Sequence, residues 1–389
     1  MGQTACCESS ANKKHLLNSN EQNNNQDAEI INNNNQLNQL NQLNQIDNPN
    51  TSNLKISENE IHNSVSSLKN NESIKNNQSI SSNAFNNNNA QLLSSYNENN
   101  KVPTLPFSCI KTFEAHEDKI VSLIELSNGN IASGSYDCTI KIWDINSQNC
   151  IKTIQSSGKV LCLLEFEPSM LLCGTDENNI ELWDVNNSNR CLFEFEGHLL
   201  WINCLVKCHD NYFASASNDS DIRIWNWTEK NCENVLKGHS NCVLTLICLR
   251  NGNLCSGSVD LTIKIWDWTN GTCINTLTGH TKWVKCLYEL SNGYIISGSD
   301  DKIIKVWENY QLKHDLKGHT KSVRSFCQIN DNLFASASFD KTIKIWDINN
   351  MSLFQNLTGH LANVICLMIH SSGILISCST DHTIKIWKN

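Results

Sequence analysis

Seven tryptophans, at 143, 183, 225, 266, 307, 346 and 387, recur at intervals of 39 to 42 residues. A fixed period of that size means one supersecondary unit copied along the chain, each copy burying its apolar face against its neighbours. The surrounding strings agree: GSYDCTIKIWD (134–144), GSVDLTIKIWD (257–267), ASFDKTIKIWD (337–347) and CSTDHTIKIWK (378–388). Upstream of six of the tryptophans stands His116, Gly197-His198, Gly238-His239, Gly279-His280, Gly318-His319 or Gly359-His360; the second unit has Gln155-Ser156 in that slot.

Each unit divides into four short runs separated by turn residues, the pattern of antiparallel strands. In the fourth unit the runs are VLTLICL, LCSGSV, TIKIWDW and CINTL, with Asn251-Gly252, the Asp260 corner and Asn270-Gly271 between them. Asn-Gly pairs accept the positive φ that tight hairpins need. A lone four-stranded sheet exposes two faces, and stacking seven around an axis covers them. The expected fold is therefore all-β, a seven-bladed β-propeller over 107–389. The last unit stops at Asn389 after its third strand, while FSCIKTFEAH (107–116) reads as an outer strand and its corner. Residues 107–114 are expected to supply the last blade's missing strand and remove an open edge.

With period, spacing and motif kept together through seven copies, the units resemble WD repeats. The resemblance implies a buried hydrogen-bonded set of four residues per blade, which satisfies a carboxylate and an indole N–H together. Carried onto this chain, the sets are His116, Ser133, Asp137 and Trp143; His198, Ser215, Asp219 and Trp225; His239, Ser256, Asp260 and Trp266; His280, Ser297, Asp301 and Trp307; His319, Ser336, Asp340 and Trp346; and His360, Ser377, Asp381 and Trp387. The second unit offers only Ser156, Cys173 and Glu177 around Trp183, so the usual network is not expected there and that blade is expected to be the least stable. A catalytic His-Ser-Asp reading loses to this one, since an active site occurs once and this constellation six times.

The resemblance also implies peptide binding on the narrow face, through the third and fifth residues after the His and the residue before the Asp. Those slots hold the aromatics Tyr136, Trp201, Trp283 and Phe339, the cations Lys285 and Arg324, and Asp300. Trp, Tyr and Arg dominate binding hot spots, and this combination suits a peptide with an acidic or phosphorylated group and an apolar anchor.

Composition bounds the remainder. A formal net charge of −9 lends nothing to nucleic-acid binding. No apolar run is long enough to span a bilayer, and the start lacks the apolar core of a secretory signal. A cytoplasmic location is expected. The 19 cysteines then read as free thiols. Cys109, Cys150, Cys191, Cys232 and Cys273 fall at the start of five outer strands, and Cys162, Cys204, Cys286 and Cys366 at one inner-strand position; packing is expected for most. Cys204 and Cys208 come nearest to a metal pair, without matching partners, so no metal or cofactor is expected. No P-loop, nucleophile elbow or kinase signature is present, and no enzymatic activity is expected.

Residues 1–106 differ in kind: 30 are Asn and none is Trp. Such a segment buries too little apolar surface to offset its ordering entropy, and a disordered tail is expected. It begins MGQTACC, and Gly2 with Cys6 and Cys7 resembles a site of myristoylation and palmitoylation. One acyl chain binds membranes marginally and two bind stably, which would place the protein at the cytosolic face of a membrane. The leading expectation is a non-catalytic scaffold or adaptor for other proteins. A ubiquitin-ligase substrate receptor and a G-protein-β-like subunit are the alternatives, although the tail carries neither a helical adaptor-binding domain nor sustained heptads.

Overall fold

The computed structural model describes residues 106–187 and 190–389. The Asn-rich segment, with Gly2, Cys6 and Cys7, lies outside the described residues apart from Pro106. The described chain forms 28 strands in seven four-stranded antiparallel sheets arranged as a β-propeller.

The first blade shows why the repeat folds this way. Its innermost strand, Ile120–Glu125, is buried along almost its whole length, and so is the second, Ile131–Ser135. Both faces of these strands meet other blades, so they read as near-continuous apolar runs. The third, Thr139–Asp144, is mixed, and the outer strand, Asn149–Gln155, is mostly exposed. Burial thus falls from axis to rim. Blade 2 consists of Val160–Glu167, Met170–Thr175, Ile180–Asp184 and the short Phe193–Phe195. Blades 3 to 6 span 202–236, 243–277, 284–316 and 323–357.

The core lies between blades. Ile124, Ile142 and Ile154 of blade 1 pack with Leu163, Leu171 and Trp183 of blade 2, and Trp225 of blade 3 packs with Leu161, Leu164 and Phe195 of blade 2. A blade without its neighbour would expose half of such a cluster, so stability passes from each sheet to the next.

Blade 7 takes its fourth strand from the beginning of the domain. Ser108–Glu114 pairs antiparallel with Thr383–Lys388, from Ser108 opposite Lys388 to Glu114 opposite Thr383. Gln355 of blade 6 clamps the entry to that strand: its Nε2 donates to the Phe107 carbonyl at 2.9 Å, and its Oε1 accepts the Phe107 N–H at 2.9 Å. At the far end of the inner strands, Glu125 accepts the Ser371 N–H at 2.8 Å and His370 Nε2 donates to the Gly129 carbonyl at 3.1 Å. Strand pairing and the Gln355 clamp thus fix the first strand to blades 7 and 6, and the Glu125 and His370 bonds join blade 1 to blade 7.

In every blade the residue after the Asp corner is left-handed and none is glycine: Cys138, Asn178, Ser220, Leu261, Lys302, Lys341 and His382, with φ between 63° and 75°. The preceding hydrogen bonds explain the tolerance. In blade 4, Asp260 Oδ1 accepts from the N–H and hydroxyl of Thr262 at 2.9 and 2.7 Å, closing the turn over Leu261.

Candidate interaction face and the network beneath it

Six blades carry the same buried network. The Trp N–H donates to the Ser hydroxyl at 2.7–2.8 Å. That oxygen lies 2.7 Å from His Nε2, and His Nδ1 lies 2.7–2.9 Å from the Asp carboxylate. The consistent proton assignment is a neutral imidazole that accepts from Ser and donates to Asp. Burial works against Asp219 ionising, but the hydrogen bond from His198 and the N–H groups of Leu199 and Asp221 together outweigh it and hold the carboxyl down at about 2. For His116, His319 and His360, burial dominates and lowers the imidazole pKa despite the Asp partner. The Gly-His corner is tight: a Cβ at Gly238, where φ is +157°, would meet the Trp266 ring at 3.1 Å.

Blade 2 reaches the same end by another route. Glu177, the expected acid, is exposed. Glu181, two residues before Trp183, is buried and takes over: it accepts the Trp183 N–H at 3.0 Å, the Ser156 hydroxyl at 2.8 Å and the Ser157 N–H at 2.8 Å. The other six blades have Lys141, Arg223, Lys264, Lys305, Lys344 and Lys385 at that slot. The sign reversal beside the missing His is the one mark in the sequence that sets Glu181 apart.

The cysteines divide by position. Cys162, Cys204 and Cys286 are buried and donate to carbonyls of the next blade, Ile202, Leu246 and Val323, at 3.5–3.7 Å. Cys109, Cys150 and Cys273 are exposed, which corrects the packing expectation for them; each thiol instead donates to the carbonyl two residues on, at 3.3 Å. They sit where a bulge opens the outer strand opposite the blade's tryptophan. Among the described residues no group of His, Cys, Asp or Glu could hold a metal ion, and no helix is long and apolar enough to cross a membrane.

Above this frame, one backbone bond repeats in all seven blades: the residue before the Asp corner donates to the third residue after the His corner. The pairs are Tyr136–Lys119, Asp176–Lys159, Asn218–Trp201, Val259–Cys242, Asp300–Trp283, Phe339–Ser322 and Thr380–Asn363, at 3.0–3.3 Å. Tyr136, Trp201, Trp283 and Phe339 are thereby held on one narrow face, each half-buried. Lys159 Nζ lies 5.4 Å from the Tyr136 ring and 5.7 Å from the Trp201 ring, within cation–π reach of both.

Lys285 and Arg324 are placed differently from the expectation of rim cations. Both belong to innermost strands and are buried, at 1% and 0% exposure. Lys285 Nζ lies 4.3 Å from the Trp283 ring and 3.5 Å from Asp300, and Arg324 stacks 4.9 Å from the Phe339 ring. Asp300 also accepts from the Ser322 hydroxyl. The Asp300–Ser322 bond ties blade 5 to blade 6, Lys285 and Arg324 pack against aromatics of their own blades, and the aromatics are what the face presents.

Comparison with known proteins accords with this architecture. The family described as WD domain, G-beta repeat, matches residues 107–144, 189–226, 230–267, 271–308, 310–347 and 351–388, more than half of the chain. The chain belongs to the WD-repeat family. The span left unmatched, 145–188, holds most of blade 2, where the WD-repeat network is rebuilt around Glu181. The crystal structure of the WD40 β-propeller domain of Doa1 superposes with a TM-score of 0.66 at 22% identity, over 73% of this chain and 97% of that one, a likeness of fold. Among curated relatives, Mitochondrial division protein 1 of Kluyveromyces lactis is 24% identical over 136 residues, which is 35% of this chain and 16% of that protein. Autophagy-related protein 16 of Arabidopsis thaliana is 26% identical over 144 residues, 36% of this chain and 28% of that protein. The chain thus spans less than a third of either relative.

Proposed function

We propose that the protein is a non-catalytic scaffold that captures peptide segments of other proteins on the narrow face of its WD-repeat propeller. The observation that carries this reading is the set of four half-buried aromatics, Tyr136, Trp201, Trp283 and Phe339, presented from four blades by the same backbone hydrogen bond. Aromatic anchors on a rigid frame lose little entropy on binding and dominate contact energy. The His-Ser-Asp constellations are occupied in supporting tryptophans and offer no nucleophile to solvent. The names of the relatives refer to mitochondrial division and to autophagy, two different processes, so the likeness supports a shared interaction module and selects neither process.

The reading includes a tether. Acylation at Gly2, Cys6 and Cys7 would hold the propeller at the cytosolic face of a membrane, with the Asn-rich segment as a flexible spacer. Mass spectrometry of the N-terminal peptide from native cells tests that part, and an unmodified Gly2 with free Cys6 and Cys7 would remove it.

Partner capture by crosslinking tests the scaffold. The full chain is compared with a Trp201→Ala, Trp283→Ala variant whose melting temperature is unchanged. Partners lost from the variant support narrow-face capture, whereas identical partner sets move the site to the blade edges or the N-terminal segment.

A further inference from the structure

The seven blades are an internal control for one another, because equivalent slots can be compared in one molecule. Two slots flank each Asp corner on the narrow face. The second residue after the His position reads Asp118, Gly158, Leu200, Asn241, Lys282, Lys321 and Ala362 in blades 1 to 7. The residue after the Asp corner reads Cys138, Asn178, Ser220, Leu261, Lys302, Lys341 and His382. Blades 5 and 6, and no others, carry lysine in both.

The backbone brings each pair together. Ser299 donates its hydroxyl to the Lys282 carbonyl at 3.1 Å and accepts the Lys302 N–H on its own carbonyl at 3.1 Å. Ser338 does the same with Lys321 and Lys341, both at 3.2 Å. Asp300 and Ser322 join the two loop systems across the blade boundary. Four exposed lysines therefore stand on adjacent blades beside Trp283 and Phe339.

The carboxylates of this sector are already engaged. Asp301 and Asp340 face His280 and His319 at 2.7 and 2.8 Å, Asp300 meets Lys285, and Asp315 meets Lys305 at 2.7 Å. Among the described residues none of the four lysine ammonium groups lies within ion-pair distance of a carboxylate. Blade 1, beyond blade 7 from this sector, offers Glu117 and Asp118 instead. A chain of formal charge −9 thus concentrates unneutralised positive charge on one sector of the face where its aromatics are presented.

We infer that the narrow face over blades 5 and 6 is the docking sector for an acidic segment of a partner protein, with Lys282, Lys302, Lys321 and Lys341 receiving its carboxylates and Trp283 or Phe339 its apolar residue. The inference rests on narrow-face capture and adds the chemistry of the captured segment. The exposed lysines, rather than the buried Lys285 and Arg324, are the cations such a segment reaches. Their charges act over a Debye length of about 8 Å at physiological salt, so they steer encounter as well as hold the bound segment.

The test is fluorescence anisotropy with the full chain. The probe is a short fluorescein-labelled peptide of Glu-Asp pairs punctuated by leucine, beside a version with lysine in place of every acid. Changing the four lysines to Gln is expected to weaken binding of the acidic peptide about tenfold and to flatten its salt dependence. An equally charged control, with Lys111, Lys264, Lys313 and Lys388 changed to Gln, is expected to bind like wild type. Equal affinity of the test and control variants overturns the inference, as does stronger binding of the basic peptide. So does binding to phosphatidylserine vesicles that depends on the four lysines and exceeds binding to the peptide. Trp283→Ala separates the two claims. Loss there with none on the lysine variant keeps narrow-face capture and overturns the acidic sector; loss on the lysine variant with none at Trp283→Ala or Trp201→Ala keeps the acidic sector and removes the aromatic rim.

Discussion

Blade 4 and blade 2 solve one problem with different residues. Each buries a tryptophan whose N–H needs an acceptor. Blade 4 spreads the work over Ser256, His239 and Asp260, a chain that runs from the core to the solvent-facing corner. Blade 2 concentrates it in Glu181, which accepts from Trp183, Ser156 and the Ser157 backbone at once. The fold therefore demands a satisfied indole and a closed corner, and the identity of the residues that provide them is secondary. A buried carboxylate with no cationic partner among the described residues is tolerable only because all three donors point at it.

The largest expected effect breaks blade 2 at that residue. Glu181→Lys, which installs the side chain typical of the other blades, leaves the Trp183 N–H and the Ser156 hydroxyl without an acceptor and buries a charge; a loss of about 3–5 kcal/mol is expected in urea unfolding. The mirror change, Lys264→Glu in blade 4, removes a half-buried ammonium that meets Thr276 at 3.0 Å, and less than about 1 kcal/mol is expected there. Equal costs would mean that Glu181 is not the organiser of blade 2.

The serine slot should show the opposite ranking. Ser256→Ala orphans both the Trp266 N–H and His239 Nε2, which costs about 2 kcal/mol. Cys173 occupies the same slot in blade 2, with only long contacts to Ser156 and to the Gly174 carbonyl, both at 3.9 Å, so Cys173→Ala is expected to cost well under that. Thermal unfolding of the two variants side by side checks the ranking. A Cys173→Ala loss equal to that of Ser256→Ala would return hydrogen-bond weight to the thiol.

Acid sharpens the contrast further. His116, His319 and His360 have imidazole pKa values lowered by burial. Their neutral forms favour the folded state, so this stability is complete above the unfolded value of about 6.5 and is lost as pH falls below it. Hydrogen-exchange protection of blades 1, 6 and 7, corrected for the slower intrinsic exchange in acid, should fall between about pH 7 and pH 5, whereas that of blade 2, with no histidine at its corner, should not change in that window. Falling protection in blade 2 over the same interval would show that its protection is borrowed from its neighbours.

Much of this was legible in the sequence, for a physical reason. The Trp period and the Asn-Gly turns fix strand order because each repeat must meet the next in the same register, and seven copies average out local ambiguity. The His, Ser, Asp and Trp spacings repeat, and the hydrogen bonds join those same residues. Glu181 was legible only as a sign reversal in a slot that reads as a cation in six blades; the packed structure reveals that a shorter acid there turns inward to the indole. The burial of Lys285 and Arg324 was not legible. Their slot alternates with core residues on an innermost strand, and the sequence does not say whether a long cation extends to the rim or lies across a neighbouring ring. The exposed thiols of Cys109, Cys150 and Cys273 depend on a bulge, which leaves no compositional trace.

The smallest expected effect concerns the corner itself. Blade 2 has Asn178 at the left-handed position, with φ of 69°, and blade 4 has Leu261 there, with φ of 74°. Any L side chain brings Cβ close to the following carbonyl in this region, at a cost of about 1–2 kcal/mol, and Asn recovers much of that because its short side chain can bond locally. Leu261 is more than a third exposed, so little burial is lost on replacing it. Leu261→Asn should therefore stabilise the propeller by about 1 kcal/mol and Asn178→Leu should destabilise it by a similar amount. Both follow from the midpoint of urea unfolding at constant slope. If the two changes both destabilise, the Asp260 and Thr262 hydrogen bonds already absorb the strain at the corner, and blade 4 rather than blade 2 is the better adapted of the pair.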